Sequence, residues 1–217
     1  MNTNINLERI SKTKNYHKWI YNKIAPFLGK NILEVGSGLG SMTNHICRGR
    51  KICCIDILDY NLRKSKHIIL KMDISKSSLK KGFDTVVCIN VLEHIKHDKK
   101  ALHNMYCSTK KGGNLILIVP AFQLPYGSID IMNKHFRRYD KKEIKEKVVG
   151  AGFDIKKIFY MNFIGLLGWW YHSKLLKIKM HNEIDIARFD KLCPFFEFME
   201  NIINPPMGLS LVIIGEK

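Results

Sequence analysis

The stretch Asn31-Ile-Leu-Glu-Val-Gly-Ser-Gly-Leu-Gly40 joins a short apolar run to three closely spaced glycines. Glycine allows a sharp turn and lets the backbone approach a ligand closely, so the stretch predicts a buried strand followed by a ligand-binding loop. The dinucleotide fingerprint G-x-G-x-x-G would need a glycine at position 41, where the chain has Ser41. Asp56 ends the next apolar run, 20 residues beyond Gly36, which is the position of a carboxylate that binds ribose hydroxyls.

Apolar runs that suit buried strands alternate with helix-like segments along most of the chain. The predicted strands are Asn31–Val35, Lys51–Asp56, His67–Met72, Phe83–Asn90, Asn114–Pro120, Phe153–Tyr160 and Ser210–Gly215. The predicted helices are Leu7–Phe27, Met42–Arg48, a short one from about Leu62, Lys99–Thr109 and Lys141–Gly150. Continuous apolar strands separated by helices indicate a mainly parallel sheet that is covered by helices on both faces.

Two segments interrupt this alternation. Ala121–Asp140 is aromatic and basic, and Asn162–Met207 is long, apolar and basic. Because ligands of open α/β sheets bind beyond the carboxyl ends of the strands, we expect these segments to cover the substrate. The run Gly165–Tyr171 fits either a cap packed on the core or a peripheral contact with a membrane. In the second case the headgroups would meet the lysines that follow, at Lys174, Lys177 and Lys179.

The charge of the chain leaves several classes of partner open. There are 36 lysines and arginines against 19 acidic residues, a formal net charge of +17. This excess is compatible with nucleic acid, an anionic membrane surface or a phosphate-bearing substrate. It is equally compatible with compositional drift, because the lysines are spread along the chain. A hydrophobic content of 46% excludes a disordered chain.

The apolar runs, the N-terminal sequence and the cysteines predict that the protein is cytoplasmic. The longest apolar run, Phe163–Tyr171, is half as long as a membrane span, and the sequence from Met1 to Asn4 does not begin a secretory signal. The six cysteines include no C-x-x-C pair. Reduced thiols in a reducing compartment explain that spacing best.

Further motifs follow the glycine stretch in a fixed order. They are Lys71-Met-Asp73-Ile74, Phe83 to Ile95 with the ending N-V-L-E-H-I, Lys110 to Pro120, His135-Phe-Arg-Arg-Tyr139, Gly150-Ala-Gly-Phe153, and the C-terminal Pro205–Lys217. In order and spacing they resemble the class I S-adenosylmethionine-dependent methyltransferases, in a bacterial-type branch with N-V-L-E-H-I and H-x-R-R-Y motifs. The matches cover nearly the whole chain.

The resemblance implies a fold and a division of the chain. The fold is a Rossmann-like α/β architecture, a seven-stranded mostly parallel sheet with helices on both faces, an antiparallel last strand and a helical cap insertion. The chain would form a single methyltransferase domain over residues 1–217. Its parts would be an N-terminal helical segment at 1–30, a cofactor-binding core at 31–160, a cap insertion at 161–207 and the last strand at 208–217.

The resemblance also implies S-adenosylmethionine as the cofactor and assigns residues to it. Gly36, Ser37 and Gly38 would hold the methionine and ribose parts through the backbone. Asp56 would accept hydrogen bonds from the ribose hydroxyls, and Asp73 one from the adenine amino group. The other residues expected at the cofactor are Glu34 behind the loop, Ile57 and Ile74 on the adenine ring, Asn90 near the methionine, and Tyr16 as a lid or core anchor.

The sulfonium of this cofactor already activates the methyl group, so the protein must align a nucleophile and, for a hydroxyl, remove a proton. The catalytic candidates are His135, which we favour as the base, then His94 and Tyr139. Packing at a helix start is the alternative role for His94. Arg137 and Arg138 have the side chains to bind a phosphate or carboxylate of the substrate.

We therefore expect methyl transfer to a small-molecule acceptor, a hydroxyl of a sugar, nucleotide sugar or natural product. An RNA 2′-O-methyltransferase with a divalent metal is one alternative, since the stretch Glu93-His94 resembles such enzymes. Asn90 stands where their motif has a glutamate, so we expect no metal and consider nucleic acid an improbable partner. The other alternative is a partner protein that binds the cofactor without catalysis.

Overall fold

The computed structural model describes residues 8–58, 67–176 and 182–217, which contain a seven-stranded sheet. The strands are β1 Asn31–Val35, β2 Lys51–Asp56, β3 Ile68–Lys71, β4 Phe83–Ile89, β5 Thr109–Pro120, β6 Asp154–Met161 and β7 Ser210–Glu216. Their order in the sheet is β3-β2-β1-β4-β5-β7-β6. Only β7 runs antiparallel to its neighbours, β5 and β6. The predicted mostly parallel sheet with an antiparallel last strand is confirmed.

The central strands are buried because their side chains pack on both faces of the sheet. Successive side chains of a strand point to opposite faces, and neighbouring residues here enter different apolar clusters. Leu33 and Val86 belong to one cluster, whereas Ile32 and Val87 belong to the other. This explains why the strands are read in the sequence as continuous apolar runs rather than alternating patterns.

The helices cover these two faces. Their bounds are α1 Lys14–Ile24, α2 Thr43–Ile46, α3 Asp98–Ser108, α4 Ser128–Met132, α5 Lys141–Gly150, α6 Phe163–Trp170 and α7 Glu183–Ile203. Helices α3 and α5 cover the first cluster through residues such as Leu102 and Ile144. Helices α1, α2 and α7 cover the second through Trp19, Ile46 and Cys193. Short 3-10 turns lie at Ala25–Phe27 and Leu92–His94, and a π-helical turn continues α6 at Tyr171–Leu175.

Several predicted boundaries shift in the structure. The first helix is interrupted: residues 8–11 are helical, and α1 begins only at Lys14. The helix predicted over Met42–Arg48 shortens to four residues. Strand β5 begins at Thr109, five residues before its apolar run. Leu7 and the helix predicted from about Leu62 lie outside the described residues.

The segment Asn162–Met207 is helical where the structure describes it. Helix α7 lies along α1, and Asp190 accepts a hydrogen bond from the backbone N–H of Tyr16 at 2.9 Å. Its buried Cys193 packs in the second apolar cluster, so α7 covers a face of the sheet. No helix in residues 8–58, 67–176 or 182–217 is long and apolar enough to cross a membrane.

The topology fixes where a ligand binds. The chain leaves β1 toward β2, but β4 leads to β5 on the opposite side of β1. In open α/β sheets, the crevice at such a reversal, beyond the carboxyl ends of the strands, is the usual ligand site. The residues that follow β1 and β4 are therefore the ones to examine.

Candidate functional site

The glycine loop follows β1 with a backbone that other residues rarely adopt. Gly36 has a φ of +74°, and its N–H donates to Ile55 O at 2.7 Å. A Cβ at Gly36 would overlap the side chain of Val91, which follows β4. Gly38 also has a positive φ, of +50°. The loop thus requires glycine on two grounds, backbone conformation and close packing against the end of β4.

Asp56 closes this loop from the end of β2. One carboxylate oxygen accepts from Gly38 N at 2.9 Å, and the other accepts from Leu58 N at 3.0 Å. An ionised carboxylate has about four acceptor positions, so Asp56 retains capacity for two hydroxyl donors. The buried Ser37 hydroxyl has no hydrogen-bond partner among the described residues. A tight loop, a carboxylate with spare capacity and an unpartnered buried hydroxyl together fit a polar, ribose-bearing ligand.

Glu34 lies behind the loop and is buried. Its Oε2 accepts from Thr43 Oγ1 at 2.6 Å and from Cys54 Sγ at 3.5 Å. Burial raises the pKa of Glu34 to about 7, although the hydrogen bonds of Thr43 and Cys54 oppose the shift. The carboxyl group ties β1 to α2 and β2, and thereby holds the loop from below.

The residues predicted at the adenine occupy different environments. Ile57 follows β2 and is 62% exposed, whereas Ile74 is buried in the first apolar cluster. Asp73 uses Oδ1 to accept from the N–H of Ser75 at 2.9 Å and from its hydroxyl at 2.7 Å. Ile57 is thus available to pack on a planar ring, while Ile74 supports the core. The adenine roles of Asp73 and Ile74 stay predictions.

Asn90 and Tyr16 lie at different places along the sheet edge. Asn90 directly follows β4 with a φ of +52°, and its N–H donates to Ile118 O at 2.9 Å. Tyr16 has its hydroxyl beside the side chains of Ser210 and Asn162, at the start of β7 and the end of β6. Burial raises its pKa to about 12. The structure therefore brings Asn90 to the glycine loop and places Tyr16 several strands away, on the side of α7.

A second polar cluster is centred on the turn after β4, which contains Glu93 and His94. One ligand-type atom from each of Glu93, His94 and His135 lies within 4.8 Å of the other two. The rings of His94 and His135 meet edge to face with centroids 4.7 Å apart. The N–H of Phe136 donates to Glu93 O at 2.8 Å. This bond ties the segment Ala121–Asp140, called the basic segment below, to the turn. The cluster can hold a proton or a cation beside the ligand crevice.

Burial controls the protonation of this cluster. It raises the pKa of Glu93 to about 7, although the charge of His135 opposes the shift. Burial, together with the neighbouring His135, lowers the pKa of His94 to about 4. The Oε2 of Glu93 has no hydrogen-bond partner within the described part of the chain. At neutral pH, His94 is therefore an uncharged imidazole.

His135 is held by a buried carboxylate. Asp130 Oδ1 accepts from His135 Nδ1 at 2.8 Å and from Arg138 Nε at 2.8 Å. Burial alone would raise the pKa of Asp130, but the bonds and charges of His135 and Arg138 lower it. These partners assign the proton to Nδ1 of His135 and leave Nε2 as its basic nitrogen.

Arg138 and Tyr139 face inward. The sequence predicts that Arg138 binds the acceptor and that Tyr139 is a catalytic candidate, and both roles would need an accessible side chain. Arg138 is 1% exposed, and its guanidinium lies 4.9 Å from the centre of the Trp169 ring. Tyr139 is fully buried, and its hydroxyl donates to Asp98 Oδ2 at 3.0 Å. Burial and the charge of Asp98 raise the pKa of Tyr139. Both side chains thus have packing partners, and a direct role in catalysis or acceptor binding gains no support from this placement.

Arg137 belongs to a second network around Asp98. Asp98 Oδ2 accepts from Arg137 Nη1 at 2.9 Å and from Lys147 Nζ at 2.6 Å. Burial would raise the pKa of Asp98, but Lys147 and Arg137 lower it. Arg137 retains 24% side-chain exposure. It is therefore the more accessible of the two predicted arginines.

The sequence reasoning missed Asp98, Lys147 and the role of Asp130. Asp98 joins groups 39 and 49 residues away along the chain, at Arg137 and Lys147. Asp130 lies five residues before His135, a spacing that occurs too often to serve as a signal. Only the folded chain identifies these carboxylates as the groups that orient the basic segment.

Comparisons with known proteins agree with this geometry. A family model described as a methyltransferase domain matches residues 8–158. No curated protein sequence gives a significant match. A crystal structure of an S-adenosylmethionine-dependent methyltransferase from Archaeoglobus fulgidus superposes with a TM-score of 0.60 at 19% identity, over 94% of both chains.

Two further solved structures are similar. An S-adenosylmethionine-dependent methyltransferase from Mesorhizobium loti has a TM-score of 0.62 at 10% identity, over 92% of this chain and 98% of that one. Phosphoethanolamine N-methyltransferase 2 from Haemonchus contortus, solved with S-adenosylmethionine, has a TM-score of 0.63 at 17% identity. That alignment covers 94% of this chain and 52% of the other. At such identities the likeness concerns the fold.

Proposed function

Since the chain belongs to the methyltransferase-domain family, as a class I S-adenosylmethionine-dependent methyltransferase, we propose that it methylates a hydroxyl group of a small molecule. A sugar, a nucleotide sugar or a natural product is the acceptor class. The observation that carries the proposal is the bond between Asp130 and His135, held beside the turn that follows β4. Such a pair can act as a general base toward a hydroxyl group.

Residues of the glycine loop are the candidates to hold the cofactor. When bound, S-adenosylmethionine supplies a methyl group that its sulfonium already activates. Gly36 and Gly38 let the backbone approach closely, and the unpartnered hydroxyl of Ser37 is free to bind a polar group. Asp56 has the acceptor capacity for the ribose hydroxyls. Asn90 follows β4 and precedes Val91, whose side chain packs against Gly36.

His135 is the proposed base. Because Asp130 holds the proton on Nδ1, the lone pair of Nε2 is available to take the acceptor proton. The ionised Asp130 also stabilises the imidazolium that forms, as carboxylates do for catalytic histidines elsewhere. His94 is the second candidate, but its low pKa of about 4 makes it a much weaker base.

The arginines divide into two roles in this proposal. Arg138 is a positioning residue, because its buried guanidinium fixes Asp130 and so the ring of His135. Arg137 is the candidate contact for an anionic acceptor, supported by its partial exposure. An anionic acceptor would also suit the positive charge of the chain. Tyr139 supports the fold through Asp98.

Replacement of His135 by alanine tests this assignment. Loss of a general base lowers the rate about 10²–10⁴-fold, so we expect His135→Ala to lower kcat by that range while the affinity for S-adenosylmethionine stays near wild type. Asp130→Asn should lower kcat less and shift the pH profile. The matched control is His103→Ala, an exposed histidine on α3. Normal turnover of His135→Ala at every pH would exclude His135 as the base.

A metal-dependent RNA 2′-O-methyltransferase is the second candidate function. It is favoured by one observation, the convergence of Glu93, His94 and His135. A histidine pair with a carboxylate suits several transition metals. The neutral Asn90 weakens such a site for hard cations, which prefer carboxylates. If the first proposal holds, EDTA leaves turnover unchanged; a loss restored by manganese or magnesium, with RNA as acceptor, would favour the second.

Peripheral contact with a membrane remains the hypothesis for Gly165–Tyr171. It is supported by the exposure of three side chains in or next to α6: Leu167 at 50%, Trp170 at 41% and Tyr171 at 48%. Apolar side chains of this kind bury at the boundary of headgroups and acyl chains.

A further inference from the structure

Helix α7 exposes an apolar stripe that the rest of the described chain does not cover. Its large exposed side chains are Ile184 at 62%, Leu192 at 50%, Phe195 at 59%, Phe198 at 61%, Ile202 at 66% and Ile203 at 60%. Most of them recur at intervals of three and four residues, and so lie along one side of the helix. Soluble proteins rarely expose a continuous apolar surface of this size without a binding role.

The residues of this stripe do not take part in packing α7 against the rest of the protein. The opposite side of α7 already contacts the protein, where Cys193, Phe189 and Phe196 pack in or against the second apolar cluster. The helix therefore has apolar residues on both sides. An outward side of phenylalanine and isoleucine contributes nothing to the core and leaves apolar surface in water.

The charges of α7 are divided between the same two sides from residue 188 onward; before it, Glu183 is exposed and pairs with Arg9 and Lys12. From residue 188 onward its acids are Asp190, Glu197 and Glu200, and each accepts a hydrogen bond from the protein. Asp190 binds Tyr16 N, Glu197 binds the amide of Asn22, and Glu200 binds the N–H groups of Asn162 and Phe163. The two cations of this stretch, Arg188 and Lys191, are exposed. At helical spacing they fall on the same side as Phe195 and Phe198.

An exposed side that combines cations with apolar groups, and turns its acids inward, matches an anionic lipid surface. Basic and bulky apolar residues are the composition of helices that lie in the membrane interface. The net charge of +17 adds a long-range attraction to anionic headgroups. A second copy of the chain would carry the same net charge of +17, which opposes association of the two copies. Since no described helix can span a bilayer, the contact is peripheral.

We propose that α7 rests on the surface of an anionic phospholipid bilayer, with Phe195, Phe198 and Ile202 among the acyl chains. Arg188 and Lys191 then meet the lipid phosphates. Helix α7 would thus be a second membrane contact, in addition to the one hypothesised for Gly165–Tyr171. It does not depend on the acceptor or on the identity of the base.

Sedimentation of the full chain with vesicles tests this proposal. We expect binding to vesicles of phosphatidylglycerol and phosphatidylcholine, little binding to phosphatidylcholine alone, and release at high salt. The double variant Phe195→Glu/Phe198→Glu should lower the partition coefficient at least tenfold, and Arg188→Glu/Lys191→Glu should weaken the preference for anionic lipid. The matched control is Val149→Glu, which alters an exposed apolar residue of α5 and should bind as wild type does.

Circular dichroism and thermal melting establish that the variants are folded. No sedimentation of the wild type with anionic vesicles would overturn the proposal. So would equal binding of wild type and the Phe195→Glu/Phe198→Glu variant. Sedimentation velocity tests for self-association. If the wild type is a dimer and the Phe195→Glu/Phe198→Glu variant is a monomer, the stripe binds a second copy of the chain and the proposal is wrong.

Discussion

Glu34 shows at the scale of one residue how burial sets chemistry behind the glycine loop. Its carboxyl group is enclosed by the loop, α2 and β2, with Thr43 and Cys54 as hydrogen-bond donors. With a pKa of about 7, this buried carboxyl group is about half protonated at neutral pH and so holds the loop without placing a full negative charge in the core. The cofactor crevice therefore rests on a group whose protonation the fold itself controls.

The raised pKa of Glu34 predicts a pH dependence of stability. The folded group binds a proton more tightly than the unfolded one, so its contribution is present below its ordinary pKa of 4.5 and is lost as pH rises through about 7. One pKa unit corresponds to about 1.4 kcal/mol. Between pH 4.5 and pH 7.5, Glu34→Gln should therefore gain up to about 3 kcal/mol in free energy of unfolding relative to wild type.

Denaturant unfolding of both proteins across this range measures the difference. Glu146→Gln, which alters an exposed acid of α5, serves as the control and should track wild type. A difference between wild type and Glu34→Gln that stays constant with pH would show that Glu34 ionises normally in the fold.

At the scale of elements, α5 is joined to the basic segment by a charged network. Lys147 bonds Asp98 at 2.6 Å, and the two side chains are only 11% and 6% exposed. Hydrogen bonds to charged groups contribute about 1.5–3 kcal/mol, so Lys147→Met should lower the free energy of unfolding by about that amount. Thermal or denaturant unfolding measures the change.

The chain offers a matched pair for this experiment. Lys156 bonds Glu216 at 3.2 Å on the surface, where the side chains are 50% and 40% exposed. Exposed ion pairs contribute at most about 1 kcal/mol, so Lys156→Met should change stability much less than Lys147→Met does. Equal losses in the two variants would contradict a special role for the buried network.

The strands could be predicted because each buried strand is also a continuous apolar run. Strands Asn31–Val35 and Lys51–Asp56 occur at the predicted bounds. The partners of Arg138 and Tyr139 could not be predicted, because Asp130 and Asp98 lie 8 and 41 residues away from them and approach only in the fold. An arginine or tyrosine in an aromatic, basic segment gives no sign in the sequence that it faces inward.

The location of Tyr16 and the two apolar sides of α7 could not be predicted for the same reason. Tyr16 reaches the sheet edge beside β6 and β7 because α1 packs along α7, a pairing between segments about 170 residues apart. Helix α7 carries apolar residues on both sides, so its sequence has no single buried face to read. The glycine loop, by contrast, is local, and its sequence alone identifies the ligand crevice.

At the scale of the whole molecule, the parts form one enzyme around the crevice between β1 and β4. The glycine loop and Asp56 lie on one side of it, and the cluster of Glu93, His94 and His135 lies on the other. In the proposed function the methyl donor binds on the first side and the proton acceptor lies on the second, so no covalent intermediate is needed. The central claim is therefore that the loop binds S-adenosylmethionine through Asp56.

Isothermal titration calorimetry with S-adenosylmethionine, on wild type and Asp56→Ala, tests that claim most directly. Hydrogen bonds to a charged group contribute about 1.5–3 kcal/mol each, and about 1.4 kcal/mol is tenfold in affinity. We predict saturable one-to-one binding to wild type and binding at least about tenfold weaker to Asp56→Ala. The control, Asp154→Ala, removes an exposed carboxylate at the start of β6 and should bind normally. Absence of saturable binding to wild type, or unchanged affinity in a folded Asp56→Ala, would contradict the account.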